Sequence, residues 1–271
     1  MFDRILIPLD GSLVASSALV VGEHLADRWD ADIKILSLVQ AGALSTALDQ
    51  SVRTQADRIA RKRQVDIRDV SYSVVEDIAH EFDEVDDTLV VMSTLARSHG
   101  AAVRSNVAED VMRHIRHPML LVGPGDELPA GWPSGPFYVC TDGSPFAESI
   151  VPTANAWARS LSLEPTVLSV IDDRKVPADI PAAAESNAAA RAAKGMEAAT
   201  GASVQFETLH GPDPAKAIID FAERNGAAMI AMATHGRSGL HRLMFGSVAM
   251  DVVRGATCPV LVDRPSVDIE H

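Results

Sequence analysis

A glycine-rich segment in the last third of the chain has the composition of an anion-binding loop. Three glycines lie between an apolar run and a helical pattern, namely Gly236, Gly239 and Gly246. Glycine lets a ligand approach the backbone closely, and the first amide groups of a helix, aided by its dipole, bind phosphate. Ser247 is a favoured N-cap for the helix that begins around Val248. The segment predicts a phosphate site of main-chain donors, although by itself it equally fits a loop that only turns a corner.

The elements that must position this segment belong to a repeat. The apolar run Ile5–Leu9 leads into Asp10-Gly11-Ser12, and Phe137–Thr141 leads into Asp142-Gly143-Ser144. A stretch dense in Gly and Pro separates the copies and breaks helical and strand periodicity. We therefore predict domains over residues 1–124 and 137–265, joined by a linker over 125–136. The first copy is shorter, and we expect most of its missing residues where its third helix should be, around 76–87.

Within each copy, short apolar runs alternate with longer segments of helical period. Such runs are typical of strands buried on both faces of a parallel sheet. In the second copy the predicted strands are Tyr138–Thr141, Thr166–Ile171, Val204–Leu209, Ala228–Ala233 and Val260–Val262. The predicted helices are Ala147–Leu161, a stretch near Ala182–Ala199, Pro214–Asn225 and Ser247–Arg254. The fold class is α/β, with two tandem doubly wound five-stranded parallel sheets, and ligands of such sheets bind beyond the carboxyl ends of the strands.

The spacing of the glycines resembles the nucleotide-binding signature of the universal stress protein family. Gly236, nine residues and then Gly246-Ser247 match it, with Ala233 where the signature has its first glycine. The Asp-Gly-Ser strand ends and the carboxyl-terminal run from Cys258 to Val262 extend the resemblance over the whole chain. It implies a Rossmann-like fold of the adenine nucleotide alpha hydrolase type. P-loop and Rossmann dinucleotide motifs are absent from the sequence.

The resemblance also implies that ATP binds at the carboxyl edge of the second sheet. Adenine and ribose would lie against Cys140, Thr141, Asp142 and Val170, and the phosphates against main-chain amides of the glycine-rich segment. The full set implied as cofactor-binding is Cys140, Thr141, Asp142, Val170, Met232, Ala233, Gly236, Arg237, Gly246, Ser247 and Val248. Mg²⁺ or Mn²⁺ would accompany the nucleotide, held by the phosphates rather than by protein ligands. No catalytic and no metal-ligating residues are assigned.

The first copy lacks this loop. At the matching place Leu95 and Ala96 replace the histidine and the glycine that follow the fourth strand of the second copy, and Ser105-Asn106 replaces Gly-Ser. Asp10 alone does not make a site, since an Asp in this position commonly caps its own turn. We expect the first copy to bind ATP poorly or not at all.

Composition excludes several classes of function. With 24 basic and 37 acidic residues the net charge is −13, which disfavours binding to nucleic acid and to anionic membranes. No apolar stretch is long enough to span a membrane, and no secretory leader pattern precedes the first strand. The two cysteines, Cys140 and Cys258, form no Cys-x-x-Cys pair. These features are typical of a cytoplasmic protein.

Three functions remain open for such a chain. The first is a nucleotide-responsive regulator of stress response, in which Met119–Val122 pairs with Val260–Val262 inside one chain and whole chains form a homodimer. The second is an ATP hydrolase or adenylate-transferring enzyme, which would be slow because the motif offers no general base beyond His235. The third is an interaction module that binds no nucleotide, with Ala233 blocking the phosphates.

Overall fold

The computed structural model divides the chain into two compact units, Met1–Leu128 and Pro129–His271. The structure describes residues 1–9, 16–37, 45–60, 65–69, 74–85, 87–94, 107–115, 117–123, 128, 131–172, 174, 187–234 and 246–264. Within these ranges, no helix is long and apolar enough to cross a membrane.

The first unit alternates strands and helices along the chain. Its strands are apolar nearly throughout and are buried on both faces, except for the edge strand, which is partly exposed. The elements are β1 (Arg4–Leu9), α1 (Ser16–Trp29), β2 (Asp32–Ser37), α2 (Ser45–Ala60), β3 (Val65–Asp69), α3 (Val74–Glu84), β4 (Thr88–Ser93), α4 (Val107–His114) and β5 (Met119–Val122).

The second unit repeats this alternation. Its core includes the fully buried side chains of Phe137 and Trp157. The elements are β6 (Phe137–Cys140), α5 (Pro145–Glu148), α6 (Ile150–Leu161), β7 (Pro165–Ile171), α7 (Asn187–Thr200), β8 (Gln205–His210), α8 (Pro214–Arg224), β9 (Met229–Ala233), α9 (Ser247–Gly255) and β10 (Val260–Asp263).

Both units have the same strand order, and within each unit all strand pairs are parallel. The order is β3-β2-β1-β4-β5 in the first and β8-β7-β6-β9-β10 in the second. Since parallel crossovers are right-handed, α6 and α7 cover one face of the second sheet and α8 and α9 cover the other. The predicted pair of doubly wound five-stranded parallel α/β sheets is confirmed. The strand order reverses between β6 and β9, which is where such a sheet opens a crevice for a ligand.

Two details of the prediction are wrong. The predicted helix Ala147–Leu161 is divided at Ser149 into α5 and α6. Pro152 has no N–H to donate to the carbonyl of Glu148, so a continuous helix would lack a hydrogen bond there. The third helix of the first unit is not shortened either, because α3 and its counterpart α8 each have 11 residues.

The difference in length between the two units lies after their second strands. β2 ends at Ser37 and α2 begins at Ser45, whereas β7 ends at Ile171 and α7 begins at Asn187. The longer connection in the second unit leads directly into the helix that contacts the candidate site described below. The spacing between matching residues of the two copies changes along the chain, which shows that the first copy lacks residues but not which connection lacks them.

The segment before β6 is anchored to the second unit. The Trp132 side chain is 3% exposed, and its indole N–H donates a hydrogen bond of 2.8 Å to the carbonyl of Ala228. The main-chain N–H of Ala228 donates in turn to Pro136 at 2.9 Å. These bonds fix the entry into β6 at the end of the sheet opposite the candidate site.

Candidate functional site

The carboxyl ends of β6, β7 and β9 bring together most of the residues that the sequence singles out. Cys140 lies opposite Met232 in the register of β6 and β9, and the N–H of Thr141 donates to Leu168 of β7 at 2.9 Å. Val170 is half-buried two residues beyond Leu168 on the same strand. These residues are far apart along the chain, and they become neighbours because β6 lies between β7 and β9 in the sheet.

The turn after β6 is fixed by its own side chains. The Thr141 hydroxyl accepts a hydrogen bond from the N–H of Gly143 at 3.0 Å, and Asp142 Oδ1 accepts one from the N–H of Ser144 at 2.9 Å. The Ser144 hydroxyl then accepts from Ala147 N at 3.1 Å and caps α5. Asp142 therefore has the turn-capping role common for aspartate, and its carboxylate is held in one orientation at the edge of the sheet.

The start of α9 lies at the end of β9. The N–H of Gly246 donates to the carbonyl of Thr234 at 2.8 Å, directly after the strand. Gly246 is the N-cap of α9, with no side-chain cap, and Ser247 is the first helical residue. The expectation that Ser247 is the N-cap is wrong by one position, because Gly246 is the residue with extended backbone and accepts from Met250 N at 3.0 Å. The first amide groups of α9 have no partner within the helix and can bind an anion.

The remaining predicted residues differ in exposure. Met232 and Ala233 are each 6% exposed, so they can offer a ligand main-chain atoms rather than large side-chain surface. Ser247 is exposed and Val248 is half-buried. Gly236 and Arg237 lie outside the described residues, as do His235, Asp10 and the first-copy positions Leu95, Ala96, Ser105 and Asn106.

Three other residues belong to this edge of the sheet and were not singled out from the sequence as site residues. Arg191 of α7 donates from Nη2 to the carbonyl of Gly143 at 2.9 Å, and Glu148 accepts from the same guanidinium. Asp172, after β7, accepts from Nε and Nη2 of Arg174 at 2.9 and 3.0 Å. The one sequence signal for Arg191 is a single arginine among the alanines of the predicted helix.

The geometry offers carboxylate, hydroxyl and main-chain amide groups around one edge. In the parts of the chain that the structure describes, no group of three or more His, Cys, Asp or Glu side chains is placed to hold a metal ion.

Burial keeps the Cys140 thiol in its protonated form. Desolvation, with a smaller contribution from Cys258, raises the pKa of Cys140 to about 12. Cys140 and Cys258 are both buried, and neither forms a disulfide. A thiol is reactive only as thiolate. We therefore expect neither cysteine of the native protein to react rapidly with a disulfide reagent at about pH 8, near the ordinary thiol pKa of ~8.5.

The measurement is thiol labelling before and after unfolding in urea, with a Cys140→Ala variant to assign the signal. Two thiols should react after unfolding. Because the folded pKa of Cys140 is above the unfolded value, its contribution to stability is present below the unfolded pKa and is lost as pH rises towards about 12. Rapid labelling of Cys140 in the native protein would contradict this.

Comparison with known proteins identifies the family. A model described as the universal stress protein family matches residues 1–123 and again residues 135–264. The chain belongs to the universal stress protein family. Both copies are matched, including the first, whose glycine-rich loop is degenerate in sequence.

The most similar relatives include universal stress protein MJ0531 of Methanocaldococcus jannaschii. It is 42% identical over 78 residues, which are 29% of this chain and 45% of that protein, so the chain spans less than half the length of this relative. A universal stress protein structure from Archaeoglobus fulgidus is 18% identical, with 98% of this chain and 97% of that chain covered and a TM-score of 0.66. This similarity shows the shared fold.

A second structure from Archaeoglobus fulgidus is a universal stress protein in complex with dAMP. It covers 48% of this chain and 97% of its own, with 23% identity and a TM-score of 0.37. A similarity of this size does not indicate what this chain binds.

Proposed function

We propose that the second unit of this universal stress protein binds ATP at the carboxyl ends of β6, β7 and β9, and that the chain is a nucleotide-responsive regulator. The observation that carries the proposal is the Gly246–Thr234 hydrogen bond, which joins the start of α9 to the end of β9. β6 is the direct neighbour of β9, so the Asp142 turn and the amino end of α9 lie at the ends of two adjacent strands. The carboxylate of Asp142 can accept hydrogen bonds from hydroxyl or amino groups of a nucleotide, and the N–H groups of α9 can donate to its phosphates.

In this arrangement the Asp142 carboxylate accepts from a sugar hydroxyl or from the adenine amino group. Val170 contacts adenine, and the first amides of α9 bind the phosphates without a Walker lysine. Mg²⁺ or Mn²⁺ arrives with the phosphates. Gly236 and Arg237 complete the phosphate site in this proposal on the sequence signature alone, and we expect the first unit to bind ATP poorly or not at all.

A charge placed at the start of α9 tests the proposal. Ser247 is exposed and is the first residue of the helix. Ser247→Glu puts a carboxylate where the phosphates would lie, and a carboxylate at a helix N-terminus stabilises the helix by ~0.3–1 kcal/mol. We expect this variant to unfold no earlier than the wild type while its ATP affinity falls at least ~10-fold, or ~1.4 kcal/mol.

The measurements are calorimetric titration with Mg-ATP and thermal unfolding with and without it. Ligand at 100 times its Kd raises the free energy of unfolding of a native protein by ~2.7 kcal/mol. Gln205→Glu is the control. Gln205 is exposed at the amino end of β8, so this variant adds the same charge at the end of the sheet away from the proposed site. Absence of any ATP effect on the wild type, or Ser247→Glu binding as tightly as Gln205→Glu, would overturn the proposal.

A further inference from the structure

The peptide group between Gly143 and Ser144 is held from both sides. Its N–H donates to Asp142 Oδ1 at 2.9 Å, and its carbonyl accepts from Arg191 Nη2 at 2.9 Å. The two bonds act on one planar unit, so they cannot be adjusted independently. Rotation of this peptide away from Arg191 would also move the N–H that orients the Asp142 carboxylate.

Arg191 is itself held in place by Glu148. Its Nε and Nη2 donate to Glu148 Oε1 at 3.1 and 2.8 Å. Glu148 is the last residue of α5, the short helix that the Asp142 turn leads into. The guanidinium therefore links the carbonyl of the turn to the end of the next helix, and its planar fork contacts both acceptors at once.

α7 is seated directly on the turn. A Cβ built at Gly143 would come within 2.6 Å of Ala188 Cβ and 3.3 Å of Arg191 Nη2. Ala188 and Arg191 are three positions apart, so they lie on the same face of the helix. The position of α7 and the position of the turn are thus set by the same contacts.

We propose that Arg191 is a positioning residue for nucleotide binding, which orients Asp142 through the Gly143–Ser144 peptide. The inference rests on the proposed ATP site, and it adds a residue that does not touch the ligand. A donor with full positive charge polarises the peptide, so the N–H that it presents to Asp142 is a stronger donor. The carboxylate is then held in its binding orientation before the ligand arrives, which lowers the ordering cost of binding.

An arginine at this place could instead serve only to join α7 to α5. Its side chain is 57% exposed and that of Glu148 is 31% exposed, and ion pairs of this exposure contribute little to stability. A purely structural role and a positioning role therefore predict similar, small changes in unfolding. They differ in ATP affinity and in whether the effect of Arg191 depends on Asp142.

The test is a double-mutant cycle with ATP affinity as the readout. Wild type, Arg191→Gln, Asp142→Asn and the double variant are titrated calorimetrically with Mg-ATP. We expect Arg191→Gln to weaken binding ~3–10-fold, because the Asp142 carboxylate would then have to be ordered when the ligand binds. In the Asp142→Asn background the same substitution should have almost no further effect, because the group that it positions is already changed.

Three controls make the outcome specific. Lys194→Gln removes the same charge from an exposed position of α7 and should leave affinity unchanged, which excludes a general loss of attraction to a polyanion. Arg191→Lys should recover part of the affinity, since one ammonium can contact the Gly143 carbonyl but lacks the fork. Glu148→Gln frees the guanidinium without removing it and should give a smaller loss, which provides a second variant if Arg191→Gln folds poorly.

Each result has a distinct meaning. If the wild type does not bind ATP, the proposed function is wrong and the inference falls with it. If the wild type binds but Arg191→Gln and Glu148→Gln behave like Lys194→Gln, the inference alone is wrong. If the effects of Arg191→Gln and Asp142→Asn add independently, Arg191 acts on the ligand rather than through Asp142, and the inference is likewise overturned.

Discussion

Replacement of Glu81 by glutamine is expected to destabilise the first unit by ~3–5 kcal/mol, the usual cost of removing one partner from a buried ion pair. The Glu81 side chain is fully buried at 0% exposure and contacts three cationic side chains. Its oxygens lie 2.8 Å from Lys34 Nζ, 3.0 Å from Arg4 Nη1 and 3.1 Å from Arg68 Nη1. A neutral amide would leave these three partly exposed cations without the buried anion that they share.

The cations come from three neighbouring strands. Lys34 of β2 lies opposite Leu6 of β1, and Arg68 of β3 lies opposite Leu36 of β2, so Arg4, Lys34 and Arg68 share one face of the sheet. α3 covers this face and carries Asp77 and Glu84 beside Glu81. The positive charges of the strands are neutralised by the acidic residues of α3 only when α3 packs against the sheet. Loss of the Glu81 charge should therefore weaken the packing of α3 in particular.

Hydrogen exchange resolved by peptide is the suitable measurement, because it reports the first unit separately from the second. Glu84→Gln is the matched control: Glu84 is 41% exposed and contacts Arg4 and Lys34 at 3.4 and 3.5 Å. An exposed pair contributes ~0–1 kcal/mol, so this variant should change exchange in β1–β3 only slightly. Equal effects of Glu81→Gln and Glu84→Gln would contradict the role assigned to the buried carboxylate.

The sequence predicts the fold well because continuous apolar runs and helical periods are local patterns. Strand order, by contrast, depends on pairing between distant segments. The carboxylate Glu81 was not singled out, because an acid on an amphipathic helix normally faces solvent and because no local pattern shows that Arg4, Lys34 and Arg68 line up. Arg191 was missed for the same reason. Its partner is a main-chain carbonyl 48 residues earlier, which no side-chain motif marks.

The candidate site shows the same limit. The Asp-Gly-Ser turn and the start of α9 were located from residue types, since glycine and serine have strong positional preferences at turns and helix starts. The division of the helix at Ser149 and the placement of the extra residues before α7 were not. Both depend on how α5, α6 and α7 pack around that turn, and such packing between separate segments is not marked by any local pattern of residues.

Gly143→Ala tests that packing, and we expect it to destabilise the second unit and to weaken ATP binding at least ~10-fold. Gly143 has φ of +76°, a conformation that costs an L residue ~1–2 kcal/mol. The new Cβ would also come within 2.6 Å of Ala188 Cβ, so the turn or α7 must shift, and overpacking of this kind costs a further ~1–3 kcal/mol. Either shift would disturb the Asp142 carboxylate.

Gly201→Ala separates the two costs. Gly201 has φ of +71°, but a Cβ there would meet nothing within 4 Å. This control therefore carries the backbone cost alone and should bind ATP as the wild type does. The measurements are urea unfolding followed by circular dichroism and calorimetric titration of both variants with Mg-ATP. If both variants are destabilised equally and both bind ATP as tightly as the wild type, the packing of α7 against the turn does not affect the site. If Gly143→Ala loses more stability and more ATP affinity than Gly201→Ala, the orientation of Asp142 depends on how α7 packs against the turn.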